Sequence, residues 1–346
     1  MDRMKGSETG VSRVLPTTQR AILITSAGGP EVLRERPDWP VPSPDDLAPT
    51  EVLIEAKAAG INRHDCNQRA AGPDRELNPV PGLEVSGRIV ACGKDVSSAR
   101  LGEAVVALTD GGSYAQYVTT DQDLALPLPE GLDWITGAAL PEALFTIWFN
   151  FVRLMRLSPG DTAMIHGGSS GVGTIGIQLL RALGHPVFAT AGTAAKRQAA
   201  LDLGCTAVFD YADPDLGRKI YAATGNKGID LLLDTSGGAH IVQDILALAP
   251  GGRISLLSAA GGKQLGVPLR ELMARRVSIT GAFLRSTPLP IKREIADQLR
   301  EKVWPLLGQK VRPLINRTYD LSEASRAHAH MESNQHIGKI ILTVRP

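Results

Sequence analysis

Hydrophobic and polar positions run in two textures along this chain. Between about residues 19 and 140, short apolar runs at 20–25, 51–58, 87–91 and 104–108 are separated by Gly, Pro and Asp clusters. Runs of that length at close intervals predict an all-β, barrel-like unit, with the turn-rich stretch PVPSPDDLAP (40–49) as a connector. The texture changes near Trp134. Beyond Asp161, strands are expected at 161–166, 186–190, 207–209, 229–234, 252–257 and 277–283, with helices at 172–183, 194–203 and 240–249 between them. Such alternation predicts a doubly wound parallel sheet. A strong helix is expected at 291–307. The tail from Arg312 holds a further helix (322–332) and a last apolar strand (339–344), expected to pack back on the β-rich unit.

The chain has 346 residues, more than the ~250–300 at which one hydrophobic core usually stops growing, so two domains are expected. Residues 19–142 together with 312–346 are assigned to one and 143–311 to the other, with 1–18 as a flexible extension. That extension is polar and lacks the apolar core of a secretory signal. No uninterrupted apolar run reaches ~18 residues, so no membrane span is expected. A net charge of +1 and an aromatic content of 4% argue against a nucleic-acid partner. Three cysteines, Cys66, Cys92 and Cys205, form no CxxC pair. They fit a reducing cytoplasm and cannot by themselves build a cysteine zinc site.

The sharpest local signal is AMIHGGSSGVGTIGIQLLRALG (163–184), in which a strand runs into a glycine-rich turn and then a helix. Helix N-termini carry unpaired N–H groups and partial positive charge, which suits pyrophosphate. The small residues Gly168, Ser169, Ser170, Gly171 and Gly173, with Val172 among them, allow close backbone approach. The spacing is G-x-x-G-x-G rather than the strict G-x-G-x-x-G fingerprint. An NAD site usually ends its second strand in Asp or Glu for the ribose 2′-hydroxyl. Here that strand ends TAGTAAKR (190–197), without an acid. Gly192, Thr193 and Lys196 are suited to a 2′-phosphate, and Tyr211 follows the third strand, where it can cover the adenine or reach the same phosphate. NADPH is therefore the expected cofactor.

Further motifs follow in order: AAGINRHDCNQR (58–69), PGLEVSGRIV (81–90), GGSYAQYV (111–118), AALPEALFTIW (138–148), HGGSSGVG (166–173), TAGTAAK (190–196), GAFLR (281–285) and the stretch 335–340. Together they resemble the medium-chain dehydrogenase/reductase superfamily, and within it the zinc-free quinone oxidoreductase branch that contains zeta-crystallin. The tumour-suppressor-inducible NADPH quinone oxidoreductases are the most similar subgroup. The resemblance spans about residues 21–344. It implies an α/β fold, in which a Rossmann-like doubly wound parallel sheet is inserted into a GroES-like β-barrel catalytic domain. It also implies an active site between the two domains and a homodimer paired near 277–283.

The zinc alcohol dehydrogenases of the superfamily carry a cysteine where this chain has Asn62 and a histidine where it has Leu83, so the resemblance implies no zinc. Neither side chain can replace a thiolate or imidazole, and a catalytic zinc needs three protein ligands. Metal roles for His64, Cys66 or the histidines at 328, 330 and 336 are not expected. Without a strong Lewis acid, the acceptor must already be electrophilic, as quinones and α,β-unsaturated carbonyls are.

By the resemblance, Asn62 stands beside the nicotinamide ribose and the acceptor carbonyl. Asp65 orients that loop, or is only a capping carboxylate. Ser170 is either catalytic or a phosphate ligand, and Thr146 faces the cleft. Ser258, Ala259, Phe283, Leu284 and Arg285 border the nicotinamide. The branch often carries a substrate-side tyrosine that 70–81 lacks. Three functions stay open: NADPH-dependent reduction of a small-molecule quinone; reduction of an enone or enoyl thioester, for which Arg63, Arg69, Arg75 and Arg285 are candidates for a basic rim; and NADPH binding without catalysis.

Overall fold

The structure is a computed structural model, which describes residues 15–73, 78–259, 262 and 264–345. Strands β1 (Thr18–Ile24) and β2 (Leu33–Pro40) form an antiparallel hairpin. Then come β3 (Glu51–Gly60), helix α1 (Arg63–Ala71), β4 (Glu84–Cys92), β5 (Ala104–Leu108), β6 (Tyr117–Asp121) and β7 (Ala125–Pro127). The expected extension at 1–18 lies mostly outside the described residues, but Thr18 already belongs to β1.

Helices α2 (Trp134–Gly137) and α3 (Pro141–Ile147) lead through a π-helical turn at Trp148–Leu154 into the second unit. The stretch Trp134–Leu154 is long and apolar enough to span a membrane by length and composition, although Glu142 and Arg153 interrupt it. Polar residues at its turns hide the run from a simple count. It is a core helix, because 78% of its most apolar window is buried inside the protein. The expected domain boundary at 142/143 falls within α3.

The second unit alternates as its pattern predicts: β8 (Ala163–Ile165), α4 (Gly171–Ala182), β9 (Val187–Thr190), α5 (Ala194–Asp202), β10 (Ala207–Phe209), α6 (Leu216–Ala223), β11 (Ile229–Asp234), α7 (Ile241–Ala247), β12 (Leu248–Leu256), α8 (Leu269–Arg275), β13 (Ser278–Gly281) and α9 (Leu289–Lys302). Its six strands are all parallel in the order β10-β9-β8-β11-β12-β13. Both faces are covered, so the strands read as continuous apolar runs: all three residues of β8 are fully buried. The strand order reverses between β8 and β11, where ligands bind in doubly wound sheets.

The tail supplies β14 (Ile315–Asp320), α10 (Ala324–Glu332) and β15 (Lys339–Thr343). Strand β15 pairs antiparallel with β3, and β14 joins its other side in parallel, giving a seven-strand sheet. The C-terminal segment thus completes the N-terminal sheet, and the parallel unit is inserted between its two parts. This is an α/β fold with a GroES-like domain and a six-strand Rossmann-like sheet. Helices α6 and α8 are absent from the sequence expectation. Each is a single short amphipathic stretch of seven or eight residues, too brief to show a period.

Candidate functional site

The glycine-rich turn lies at the carboxyl end of β8, on the switch point. Ser170 is the N-cap of α4, and its Oγ accepts the Gly173 N–H at 3.0 Å. A helix's first N–H groups lack intrahelical acceptors; a parallel bridge joins Ser170 to Gly338 and turns the Gly171 N–H toward it, so that of Val172 is left for an anion. Close packing explains the glycines. A Cβ at Gly173 would stand 2.3 Å from the Gly167 carbonyl oxygen, and one at Gly168 would stand 2.7 Å from the Ala189 methyl. The residues fit a dinucleotide pyrophosphate.

Below this turn His166 is buried. Its Nε2 lies 2.7 Å from Asp244 Oδ1 and its Nδ1 2.9 Å from Thr190 Oγ1. Burial opposes its charge, but the charge and hydrogen bond of Asp244 outweigh that and raise its pKa above the ordinary value.

At the end of β9, Thr193 caps α5 by accepting the Lys196 N–H at 3.2 Å. Tyr211 is half exposed and stands over Gly192, where a Cβ would meet its hydroxyl at 2.6 Å. Asp210, the acid beside this strand end, is held by Arg197 at 2.8 Å. Arg197 also donates to the Gly192 carbonyl at 3.0 Å. The Lys196 ammonium donates to the Asn334 carbonyl across the cleft, and burial lowers its pKa. The residues therefore present cations, not a free carboxylate, to the adenosine end.

The opposite wall starts at α1. Asp65, fully buried at its third position, accepts the Asn62 backbone N–H at 2.8 Å and the Tyr114 hydroxyl at 3.0 Å. Burial raises its pKa to about 7, against these donors and the charge of Lys339. Its geometry is that of a loop-holding carboxylate behind the cleft. Tyr114 also meets His328 Nε2 at 3.1 Å. Burial, aided by the charge of Arg69, lowers His328 to about 3, so its ring is neutral and structural.

The Asn62 side chain is fixed at both ends. Its Oδ1 accepts from the Lys339 ammonium at 2.7 Å, and its Nδ2 donates to Glu84 Oε1 at 2.9 Å. Lys339 also pairs with Glu84, and both are buried. The other oxygen of Glu84 accepts the Glu142 N–H at 3.0 Å, at the start of α3. Immediately before Lys339, the Gly338 N–H donates to the Ser169 carbonyl at 2.9 Å, and the Lys339 stem fills the space where a Gly171 side chain would go. Consecutive residues of the tail therefore stitch the phosphate turn to the Asn62 amide. Glu84, Glu142 and Lys339 were not singled out in the sequence. The ion pair joins residues 255 positions apart, and no local pattern announces it.

The remaining wall is the 281–292 segment. Arg285 donates to His64 Nε2 at 3.0 Å and to the Asp110 carbonyl at 2.6 Å. Buried Lys292 pairs with Asp110 at 2.6 Å and donates to the Arg285 carbonyl at 2.8 Å. Phe283 is 67% exposed, whereas the Leu284 side chain lies in the core, leaving only its backbone for a ligand. Ser258 is partly buried and Ala259 exposed at the end of β12. Thr146 is buried one turn beyond Glu142 on α3.

One sequence expectation changes. The basic rim does not form as drawn: Arg69 is buried and paired with Glu332, Arg63 is drawn to Met331 O and Asn334, and Arg75 lies outside the described residues. Arg69 sits on the inner face of α1, where only a paired charge is tolerated. Histidines 328 and 336 are buried packing residues. Among the described residues no three His, Cys, Asp or Glu gather as a metal requires. The donor set around Asn62, an amide, an ammonium and a carboxylate already paired with it, does not fit zinc.

Residues 171–301 match the family model for zinc-binding dehydrogenases, and 48–130 match the alcohol dehydrogenase GroES-like domain. The rat quinone oxidoreductase is 32% identical over 330 residues, covering 93% of this chain and 97% of its own length. The solved Escherichia coli quinone oxidoreductase complexed with NADPH superposes with a TM-score of 0.83 at 27% identity, over 94% of this chain and 99% of its own. A mycobacterial protein solved in complex with NADPH gives the same TM-score, 0.83, at 27% identity, over 94% and 99% of the two chains. The fold and site define a medium-chain dehydrogenase/reductase. Within that superfamily the chain belongs to the quinone oxidoreductase family, of the zeta-crystallin type.

Proposed function

We propose that this protein is a zinc-independent, NADPH-dependent reductase of quinones, within the tumour-suppressor-inducible subgroup. In this reading it is cytoplasmic and homodimeric, with residues 19–142 and 312–346 as its catalytic domain and 143–311 as its cofactor domain. When bound, NADPH supplies the hydride. The reading rests on one observation above all: Gly338 holds Ser169 of the phosphate turn while Lys339 holds Asn62. A turn suited to pyrophosphate and an amide suited to a carbonyl oxygen thus belong to one rigid site.

In this reading Ser169, Ser170, Gly171, Val172 and Gly173 hold the pyrophosphate. Thr193, Lys196 and Tyr211 hold the 2′-phosphate, with Lys196 leaving Asn334 to do so. Lys339 and Glu84 fix which end of the Asn62 amide is nitrogen. One Nδ2 hydrogen goes to Glu84 and the second remains for negative charge developing on the acceptor oxygen. Relatives that are quinone oxidoreductases, one of them solved with NADPH, support both cofactor and acceptor class. Reduction of an enone uses the same cleft and is the second reading. The enoyl-thioester form loses support because Arg69 is turned inward onto Glu332.

The test is NADPH oxidation with ortho- and para-quinones, simple enones and a crotonyl thioester, run beside NADH. Quinone turnover with NADPH and weak turnover with NADH are expected. Lys196→Ala should weaken NADPH binding about tenfold, ~1.4 kcal/mol, while leaving NADH binding unchanged. Equal loss for both cofactors would remove Lys196 from the phosphate site.

A further inference from the structure

Helix α3 buries every residue except Glu142. The residue is only partly buried, while protein surrounds its carboxyl. It has no hydrogen-bond partner of its own among the described residues, although its backbone N–H is spent on Glu84. Its backbone joins the Asn62–Glu84–Lys339 cluster through Glu84, and the charges of Glu84, Lys339 and Lys292 act on its carboxyl. Lys339 is already committed to Glu84, and Lys292 to Asp110. An unpartnered carboxyl one residue-link away, through Glu84, from the amide that awaits an oxyanion has the position of an acid.

We propose that Glu142 is a catalytic residue that protonates the reduced acceptor. The inference deepens the reductase reading and rests on it. As hydride bonds to one end of the conjugated system, a quinone oxygen or the enone β-carbon, the π electrons shift along it and settle on the far carbonyl oxygen, where the Asn62 Nδ2 hydrogen steadies the charge. The O–H bond of the Glu142 carboxyl then breaks and its proton bonds to that oxygen, or to the α-carbon when the acceptor is an enone. The resulting carboxylate recovers a proton from water. In total, one NADPH, one proton and one acceptor become NADP⁺ and the doubly reduced product.

The electrostatics agree. Burial, and next the charge of Glu84, raise the Glu142 carboxyl to about 8; Asp65 adds to this, while Lys339 and Lys292 oppose it. These groups come from β4, α1, β15 and α9. Of the other elements against α3, β5 has no ionisable residue, α4 has only Arg181 near its far end, and the π-helical turn has Arg153, paired with Glu294. A phenolate, whose conjugate acid has a pKa near ~10 as in tyrosine, is a stronger base than this carboxylate, so the transfer runs downhill.

The test compares wild type, Glu142→Gln and Glu142→Asp by kcat against pH and by infrared titration of the protonated carboxyl band. NADPH binding and circular dichroism check that each variant is folded. Wild-type kcat should fall above about pH 8. Glu142→Gln should lose roughly 100-fold in kcat and lack that limb, with the infrared band that titrates near it also gone, and Glu142→Asp should restore part of the rate. A purely structural role would not move the pH limb. Wild-type turnover with an unchanged Glu142→Gln profile would overturn this proposal alone. A wild type silent on every acceptor would overturn the reductase reading and the proposal with it.

Discussion

Single side chains in this protein carry more than their local chemistry. Lys339 and Glu84 form a buried ion pair whose remaining hydrogen-bonding capacity goes to Asn62 and to the start of α3. A buried pair is weak as net stabilisation, but breaking it strands a charge at about 3–5 kcal/mol. Lys339→Met should therefore lower stability by about that amount in urea denaturation, while Lys339→Met with Glu84→Gln should recover most of it. Both forms should lose quinone turnover, because Asn62 is no longer held. If the double variant stays as unstable as the single one, the pair is not the origin of the loss. The sequence marked Asn62 and Asp65 through the motif at 58–69 and the family resemblance it carries. It was silent on Lys339, Glu84 and Glu142, whose meaning lies in distant partners.

At the level of elements, the strand–turn–helix of β8 and α4 illustrates how packing writes a motif. Gly173 faces backbone on two sides, at 2.3 Å from Gly167 O and 2.8 Å from Gly168 Cα, whereas Gly171 faces the flexible Lys339 stem. Gly173→Ala should then weaken NADPH binding by at least about tenfold in a fluorescence titration. Gly171→Ala should spare binding by comparison and reduce kcat instead, since displacing Lys339 loosens Asn62. A binding loss at Gly171→Ala as large as at Gly173→Ala would contradict this division. Element identity was readable here because capping, glycine spacing and an apolar period agree. It was not readable at α6 and α8, which are too short, nor at 134–154, where helix and core burial depend on the sheets on either side.

For the whole molecule, the parallel sheet ends in an edge at β13. The nearby Leu269 and Met273 of α8 are 68% and 67% exposed. An edge strand flanked by exposed apolar residues is a template for pairing, which supports the proposed homodimer. Leu269→Asp with Met273→Asp should give a monomer by size exclusion with light scattering. A dimer that survives both changes would place its interface elsewhere.

Local pattern by itself determined that one part of the chain is β-rich, that another alternates β and α, that a glycine turn opens a helix fit for pyrophosphate, and that no acid ends the second strand. Each is a property of neighbours within one or two turns, where backbone geometry and burial period act directly. The tertiary structure alone decided that Arg69 turns inward rather than to a rim, and that Asn62, Lys339 and the start of α3 at Glu142 meet at Glu84. Those facts join residues far apart in sequence, and only the folded sheets bring their charges within reach.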